Sequence, residues 1–208
     1  RGLQMIDEWY QFPAFYFSNP ATIYGPDDEI PCPSSSSALD FELEVAAVLV
    51  KDGRDLAEGD VENHLLGYTI MNDWSARDLQ RREMAVGLGP AKGKDFATSL
   101  GPWIVTPDEL ANRGAAGRYD AVMEARVNGR LYSRGNWQDI HWSFCELIAY
   151  ASRDSLVRAG DVVGSGTVGT GCILELDPEM HGWLSSGDNV ELSIAGIGTL
   201  RNRVGSVI

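Results

Sequence analysis

Hydrophobic and polar positions alternate at the start of residues 40–50, DFELEVAAVLV, and then give way to a continuous apolar run. This pattern predicts a strand that becomes buried on both faces. GYTIMND at 67–73 predicts a second buried strand, and GPWIVT at 101–106 predicts a third. Residues 31–37, PCPSSSS, predict a turn-rich loop within a domain. The pattern therefore indicates a core built mainly from strands.

Two helices are predicted between and after these strands. Helix-forming residues run from Ser75 to Glu83 and follow Asn72 and Asp73, which are residue types that often cap helices. Apolar residues recur at helical spacing over 141–154, HWSFCELIAYASRD, which predicts a helix with one buried face.

A hairpin is predicted at 123–133, MEARVNGRLYS, because Asn128-Gly129 suits a two-residue type I′ turn. The C-terminal part of the chain returns to strands separated by glycine turns. We found no repeat, linker or low-complexity block. The prediction is therefore a single α+β domain over 1–208, with a mixed sheet rolled or sandwiched around one core.

Charge and cysteine content limit the partners. The chain has 208 residues and a formal net charge of −13, which argues against nucleic acid and anionic membranes as partners. No apolar run approaches the ~20 residues that span a bilayer. Cys32, Cys145 and Cys172 lack the spacing of a disulfide framework or a zinc knuckle, so we expect free thiols and a cytoplasmic setting.

Three carboxylate side chains are the candidate functional groups. Glu42 and Glu44 stand two positions apart, so a strand places both on one face. A solvated strand face is one explanation, but the apolar run that follows favours burial, where adjacent carboxylates need a compensating cation. Asp73 ends another apolar strand, where binding sites are common, although capping a helix is its alternative role.

An oxygen-only ligand set selects hard cations. We therefore expect Glu42, Glu44 and Asp73 to hold one Mg²⁺, with Ca²⁺ or Mn²⁺ as alternatives. Because the net charge repels anions, an acidic substrate also requires local positive charge. Such a cation makes the chain a candidate enzyme for small acids.

Two further segments offer positive charge. Arg77 and Gln80 share a helix face, which suits a guanidinium that binds a substrate carboxylate, or simply a surface pair. GLGPAKGKDFATS at 87–99 places glycines around two lysines, which suits close approach to a ligand or a solvated loop. It is not a phosphate-binding loop, because Asp95 follows Lys94.

Together these segments resemble the fumarylacetoacetate hydrolase family. The matching runs are LDFELEVA at 39–46, MNDWSARDLQ at 71–80, LGPAKGKDFATSLGPW at 88–103 and GSGTVGTG at 164–171. The resemblance covers nearly the whole chain. It implies a mixed β-roll, a homodimer, a bound Mg²⁺ or Ca²⁺ ion and a small oxo-acid substrate.

The resemblance also assigns expected roles to single residues. Carried over by position, they are Glu42, Glu44 and Asp73 with Thr98 at the metal, Lys94 and Glu175 in catalysis, and Tyr16, Gln80 and Thr167 as substrate contacts. Arg77 joins the expected substrate contacts from the helix-face argument. Glu175 is expected to orient a catalytic histidine.

The expected reaction is hydrolysis of a C–C bond in a 1,3-dioxo acid of the acylpyruvate or fumarylacetoacetate type, as in aromatic or amino-acid catabolism. Decarboxylation or isomerisation of an oxo-diacid on the same site is the alternative. A third possibility is a β-roll that binds metal and small acids without catalysis.

One part of the family pattern is not matched. The resemblance places a catalytic histidine and a further metal-binding aspartate upstream of Arg1, and His64, His141 and His181 match neither. We therefore expect the native chain to continue upstream and to supply the general base there. A metal site open to solvent, with Glu175 facing the opening without a partner, follows from this expectation.

Tryptophans support the expected homodimer. Trp74, Trp103, Trp137 and Trp142 exceed what a small core usually needs, and aromatic residues are favoured at protein interfaces. Ordinary core packing is the alternative for each of them.

Overall fold

Strands dominate the computed structural model, which describes residues 7–111, 113–114 and 117–207. The strands, in chain order, are β1 (Ile23–Tyr24), β2 (Glu29–Cys32), β3 (Leu39–Asp40), β4 (Leu43–Leu49), β5 (Gly53–Arg54), β6 (Leu65–Asp73), β7 (Ser75–Ala76), β8 (Thr98–Val105), β9 (Val122–Val127), β10 (Arg130–Asn136), β11 (Leu156–Val157), β12 (Val162–Gly164), β13 (Asn189–Ile194) and β14 (Gly198–Val207). The helices are α1 (Arg77–Val86), α2 (Phe144–Ser152) and α3 (Pro178–His181), and 3₁₀ turns include Glu58–His64 and Ile173–Glu175.

Two five-stranded sheets form the body of the fold. The first has the order β1-β8-β6-β4-β12 and the second β10-β9-β13-β14-β2. The pairs β1/β8 and β14/β2 are parallel and the other neighbours are antiparallel, so both sheets are mixed. The short ladders β5/β11 and β3/β7 lie beside them. The predicted α+β class with a mixed, sandwich-like core is confirmed.

The core lies between the two sheets. β4 contacts β9, and β6 contacts β13 and β14 across this interface. All seven residues of β4 are buried, as its unbroken apolar run predicted. A cluster of Tyr68, Tyr119, Trp137 and Phe144 fills one end of the core, with ring centroids 4.7 to 6.1 Å apart.

Several local predictions are confirmed. Asn128 and Gly129 have φ of 51° and 78°, the positive values that a type I′ turn requires, and they join β9 to β10. α2 begins after Ser143, which forms a capping box with Glu146. The three cysteines are free, as expected.

Other local predictions are wrong. α1 begins at Arg77 instead of Ser75, because Ser75 and Ala76 pair with β3 as strand β7. No side chain caps α1, so Asp73 is not its N-cap. The predicted loop at 31–37 begins two residues later than expected, because β2 extends through Cys32.

The tryptophans divide into two groups. Trp74 and Trp137 are fully buried core residues, so ordinary packing explains them. Trp103 is 65% exposed on β8, and Trp142 is partly buried. Within the described ranges, no helix has the length and apolar character needed to cross a membrane.

Candidate metal centre

The pairing register of three strands brings the predicted carboxylates to one face of the first sheet. Glu44 lies directly opposite Met71, and Asp73 lies two residues beyond Met71 on the same strand. Asp73 is in turn directly opposite Thr98 of β8. Residues opposite each other, and residues two apart on a strand, point to the same face. The sheet therefore places all these side chains together.

Glu42, Glu44 and Asp73 form a compact buried group. Each can offer one carboxylate oxygen such that all three oxygens lie within 4.8 Å of one another. Their residues are only 3 to 4% exposed. Burial, together with the charges of Glu42 and Asp73, raises the pKa of Glu44 well above its usual value. The arrangement is therefore costly unless a cation compensates it.

Lys94 supplies part of the compensation. Its Nζ donates to Glu42 Oε2 at 2.7 Å and to Asp73 Oδ2 at 3.1 Å. Burial alone would lower the pKa of Lys94, but the two carboxylates outweigh it and raise the pKa. Lys94 therefore stays positively charged near neutral pH.

Arg77 lies inside the site instead of on the helix surface. Its Nε donates to Asp40 Oδ2 at 2.8 Å, and its Nη1 lies 2.9 Å from both Glu42 Oε1 and Gln80 Oε1. The predicted pairing of Arg77 with Gln80 is thus present, but the surface alternative is wrong, since Arg77 is 3% exposed. With Lys94 on the other oxygen of Glu42, this carboxylate is held from both sides.

Asp40 connects this network to the turn that carries Glu175. It is fully buried and also accepts from the backbone N–H groups of Ile173 and Leu174 at 2.8 and 3.1 Å. Burial raises the pKa of Asp40, and Arg77 opposes that effect. Asp40 was not predicted as a site residue, although its position two residues before Glu42 continues the same alternation.

The loop that follows β12 packs against Glu44. Gly166 N donates to Glu44 Oε2 at 3.1 Å. A Cβ at Gly164 would lie 2.8 Å from the same oxygen, so a glycine is needed for this close approach. Thr167 directly follows Gly166 in this loop, and its predicted role as a substrate contact stays a prediction.

Glu175 differs from its prediction. It lies at the end of the turn Ile173–Glu175, and its Oε2 accepts from Thr170 N at 2.7 Å. The expectation that Glu175 lacks a partner is therefore wrong. The carboxylate instead holds the end of the same loop that contacts Glu44.

The expected opening toward solvent is also not found, because the carboxylates are nearly fully buried. Tyr16 covers them from the N-terminal segment, and its hydroxyl donates to Asp73 Oδ2. The residue as a whole is 41% exposed, but burial of its hydroxyl end and the charge of Asp73 raise the pKa of Tyr16. Its phenol therefore stays protonated and acts as a donor.

Thr98 is buried on the same face, and its hydroxyl lies 3.5 Å from Ser18 Oγ. Its predicted metal role stays a prediction. Asn72, which was considered only as a helix cap, accepts a hydrogen bond from Glu42 N at 3.0 Å through its side chain. Its place beside Asp73, at the end of a buried strand, was the available signal.

Histidines take no part in the carboxylate group among the described residues. His141 contacts the rings of Trp9, Tyr10 and Trp142, and His181 packs on Tyr132.

The balance of buried charge fits a divalent cation. The buried Asp, Glu, Lys and Arg side chains of the described residues are four carboxylates and two cations, so two negative charges are uncompensated when all six are ionised. Asp73 Oδ1 is buried and has no hydrogen-bond partner in the described structure. Such an atom needs a partner. An oxygen-ligated divalent ion satisfies both requirements.

Comparisons with known proteins find relatives over most of the chain. The family model described as fumarylacetoacetate (FAA) hydrolase C-terminal matches residues 3–205. The chain is 34% identical over 199 residues to oxaloacetate tautomerase YisK of Bacillus subtilis, covering 94% of this chain and 62% of that protein. It is 37% identical over 175 residues to fumarylacetoacetase of Arabidopsis thaliana, covering 68% and 41%.

A solved structure supports the same relationship. Fumarylacetoacetate hydrolase from Exiguobacterium antarcticum superposes with a TM-score of 0.81 and 32% identity, over 92% of this chain and 65% of that chain. The present chain thus spans about two thirds of these tautomerase and hydrolase relatives, and less of the plant protein.

Proposed function

The chain belongs to the fumarylacetoacetate hydrolase family, and from this premise we propose that it is a metal-dependent enzyme that converts a small oxo-diacid through its enolate. Keto–enol tautomerisation is the reaction that the site supports best. The observation that carries this proposal is the buried group of Glu42, Glu44 and Asp73 with Lys94 bonded to two of them.

Glu42, Glu44 and Asp73 would hold the cation, with Mg²⁺ as first choice and Ca²⁺ or Mn²⁺ as alternatives, since all ligands are oxygen. When bound, the ion supplies Lewis acidity that stabilises negative charge on a substrate oxygen. Arg77 keeps Glu42 oriented for this purpose through the bond between Nη1 and Oε1.

Lys94 stabilises the enolate electrostatically. An ammonium group has three N–H donors, and two of those of Lys94 are used by Glu42 and Asp73. The third has no acceptor among the described residues and can donate to a substrate oxygen as negative charge develops there. Because its carboxylate neighbours raise its pKa, Lys94 serves as a fixed positive charge and not as a base.

Tautomerisation requires stabilisation of the enolate and exchange of one proton with water at carbon and at oxygen, without breaking a C–C bond. Hydrolysis also requires a group that activates water. The relative named oxaloacetate tautomerase matches 94% of this chain. The acidic net charge suits an acid substrate only where Lys94 and the bound ion supply positive charge locally.

Hydrolysis of an acylpyruvate is the second candidate. The relative named fumarylacetoacetase is the more identical of the two, at 37%, although it matches only 68% of this chain. Decarboxylation of an oxo-diacid proceeds through the same kind of enolate, so product analysis must separate the three reactions.

The test uses purified protein with Mg²⁺ and the enol form of oxaloacetate. We expect the enol absorbance to decay faster than in buffer with Mg²⁺, without release of carbon dioxide. The Glu42→Gln variant should lose this acceleration, while Glu109→Gln, which changes an exposed carboxylate, should keep it. Carbon dioxide release would instead indicate decarboxylation, and two acids from an acylpyruvate would indicate hydrolysis. No turnover of any oxo-acid would support a binding protein.

A further inference from the structure

Glu83, on the outer part of α1, binds three consecutive backbone amides of the loop that carries Lys94. Its carboxylate accepts from Ala91 N at 2.9 Å, Lys92 N at 2.6 Å and Gly93 N at 3.1 Å. Lys94 is the next residue along the chain.

The position of Glu83 is unfavourable for the helix itself. α1 ends at Val86, so Glu83 lies in the last turn, where the helix dipole disfavours an acid. No basic residue occupies that turn. The three loop amides offset this effect, and they lower the pKa of Glu83 despite the opposing effect of partial burial. The Glu83 carboxylate therefore stabilises the loop and not α1.

The three amides determine where Lys94 lies. Lys94 N and Asp95 N both donate to Ala91 O, at 3.0 and 2.9 Å, so residues 91–95 form one tight turn. On its other side the turn is fixed by Ala76 N, which donates to Gly93 O at 2.8 Å. Glu83 holds the first three residues of this turn, and the fourth extends into the carboxylate group.

Without the three hydrogen bonds to Glu83, we expect the loop between α1 and Lys94 to move. It contains Gly87 and Gly89, both in the left-handed conformation, and Leu88 is 89% exposed. Glycine-rich exposed backbone loses much conformational entropy when it becomes ordered. Lys94 nevertheless is 2% exposed. Some interaction must therefore order the loop before its lysine can be placed.

We propose that Glu83 is a positioning residue: its carboxylate clamps the 91–93 amides and thereby places the Lys94 ammonium between Glu42 and Asp73. The placement itself is independent of any reaction. Its catalytic consequence rests on the proposed function, in which Lys94 stabilises negative charge on substrate.

The first experiment measures placement without any substrate. An amine-reactive acetylating reagent is applied to the folded full chain, and labelling of each lysine is followed by mass spectrometry. Lys51, which is exposed and lies outside this turn, is the internal reference. In wild type, Lys94 should label far more slowly than Lys51. In Glu83→Ala, labelling of Lys94 relative to Lys51 should rise by roughly tenfold or more, as expected for local opening of a loop.

Two further variants make this result specific. Glu83→Gln keeps one carbonyl oxygen that can accept two of the amides, so its labelling should fall between those of wild type and Glu83→Ala. Arg82→Gln changes the neighbouring exposed residue of α1 and should leave Lys94 protected. Alanine is a strong helix former, so Glu83→Ala should retain its helix content.

The second experiment measures kinetics on whichever oxo-acid is turned over. Glu83→Ala should lower kcat by roughly 10- to 100-fold, the effect of a small misplacement of a catalytic group, with KM changed little. Absence of turnover in wild type would reject the proposed function and leave the labelling result to decide the clamp. Equal protection of Lys94 in wild type and Glu83→Ala would overturn the proposed role of Glu83. The same conclusion would follow if Arg82→Gln exposed Lys94 to labelling as much as Glu83→Ala does.

Discussion

At the scale of single residues, Lys94 and the proposed divalent cation share the same carboxylate groups but not the same oxygens. Lys94 Nζ bonds Glu42 Oε2 and Asp73 Oδ2, while Asp73 Oδ1 is left without a protein partner among the described residues. The lysine therefore offsets part of the negative charge but leaves a ligand atom for the ion. Its roles in metal binding and in catalysis can be separated.

Replacing Lys94 by Met should retain metal binding and lose turnover. Removing the ammonium leaves the carboxylates with less positive charge nearby, so calorimetry should find Mn²⁺ bound as tightly as in wild type or more tightly. Turnover should fall by roughly 100- to 1,000-fold, the usual effect of losing one electrostatic stabiliser of the transition state. Lys92→Met, two residues earlier and exposed, is the control and should change neither quantity. Loss of Mn²⁺ binding in Lys94→Met would contradict this assignment.

The carboxylate group could be predicted from the sequence, but its supporting residues could not. The alternation in 40–44 and the end of an apolar strand at Asp73 were sufficient to identify these three side chains as candidate ligands. Arg77 was expected to bind substrate because its only visible partner, Gln80, lies three residues away. Its main partner, Asp40, lies 37 positions earlier and is brought close by the pairing of β3 with β7. Such pairings do not follow from local pattern.

At the scale of elements, the contact between α1 and the following loop determines the site geometry. A Cβ at Gly93 would lie 2.8 Å from Gln80 N and 2.9 Å from Gln80 Cα, closer than side chains tolerate. The backbone of the helix cannot move aside easily. The loop therefore depends on glycine here for close packing.

Gly93→Ala should displace the loop and destabilise the protein. We expect about 1–3 kcal/mol lower unfolding free energy, typical of overpacking, together with reduced turnover. Gly59→Ala is the matched control, because a Cβ there meets nothing within 4 Å and its φ is not positive. Its unfolding free energy should stay within about 0.5 kcal/mol of wild type, as for most surface changes. Urea unfolding measures both, and equal effects of the two substitutions would argue against the contact.

Elements with local signals were predicted well, and those set by tertiary pairing were not. The hairpin at Asn128-Gly129 follows from two residues whose φ must be positive, and the apolar run of β4 follows from its burial. The start of α1 was placed too early, since Ser75 and Ala76 have no local reason to be extended. Their partner, β3, lies more than 30 residues away.

At the scale of the whole molecule, an exposed apolar surface supports our proposal of a homodimer. Trp103 is 65% and Ile104 48% exposed on β8, and aromatic residues are favoured at interfaces. Light scattering at micromolar concentration should give twice the mass of one chain. Trp103→Glu should shift the protein toward monomer, whereas Leu131→Glu, a partly exposed apolar position on β10, should not. A monomeric wild type would refute the dimer.

The excess of buried negative charge is also a property of the whole fold, since strands β4, β6 and β8 each contribute a side chain to the group or to its immediate surroundings. We propose that one divalent cation compensates this excess. Binding of this cation does not depend on which oxo-acid is the substrate.

The most direct measurement is calorimetric titration of chelator-treated protein with Mg²⁺ and with Mn²⁺. Wild type should bind one ion per chain, and Glu44→Gln should weaken binding by at least roughly 100-fold, more than outer-shell partners typically contribute. Glu109→Gln, an exposed carboxylate, should bind as wild type does. Wild-type protein that binds neither ion, or Glu44→Gln that binds both with wild-type affinity, would contradict the account.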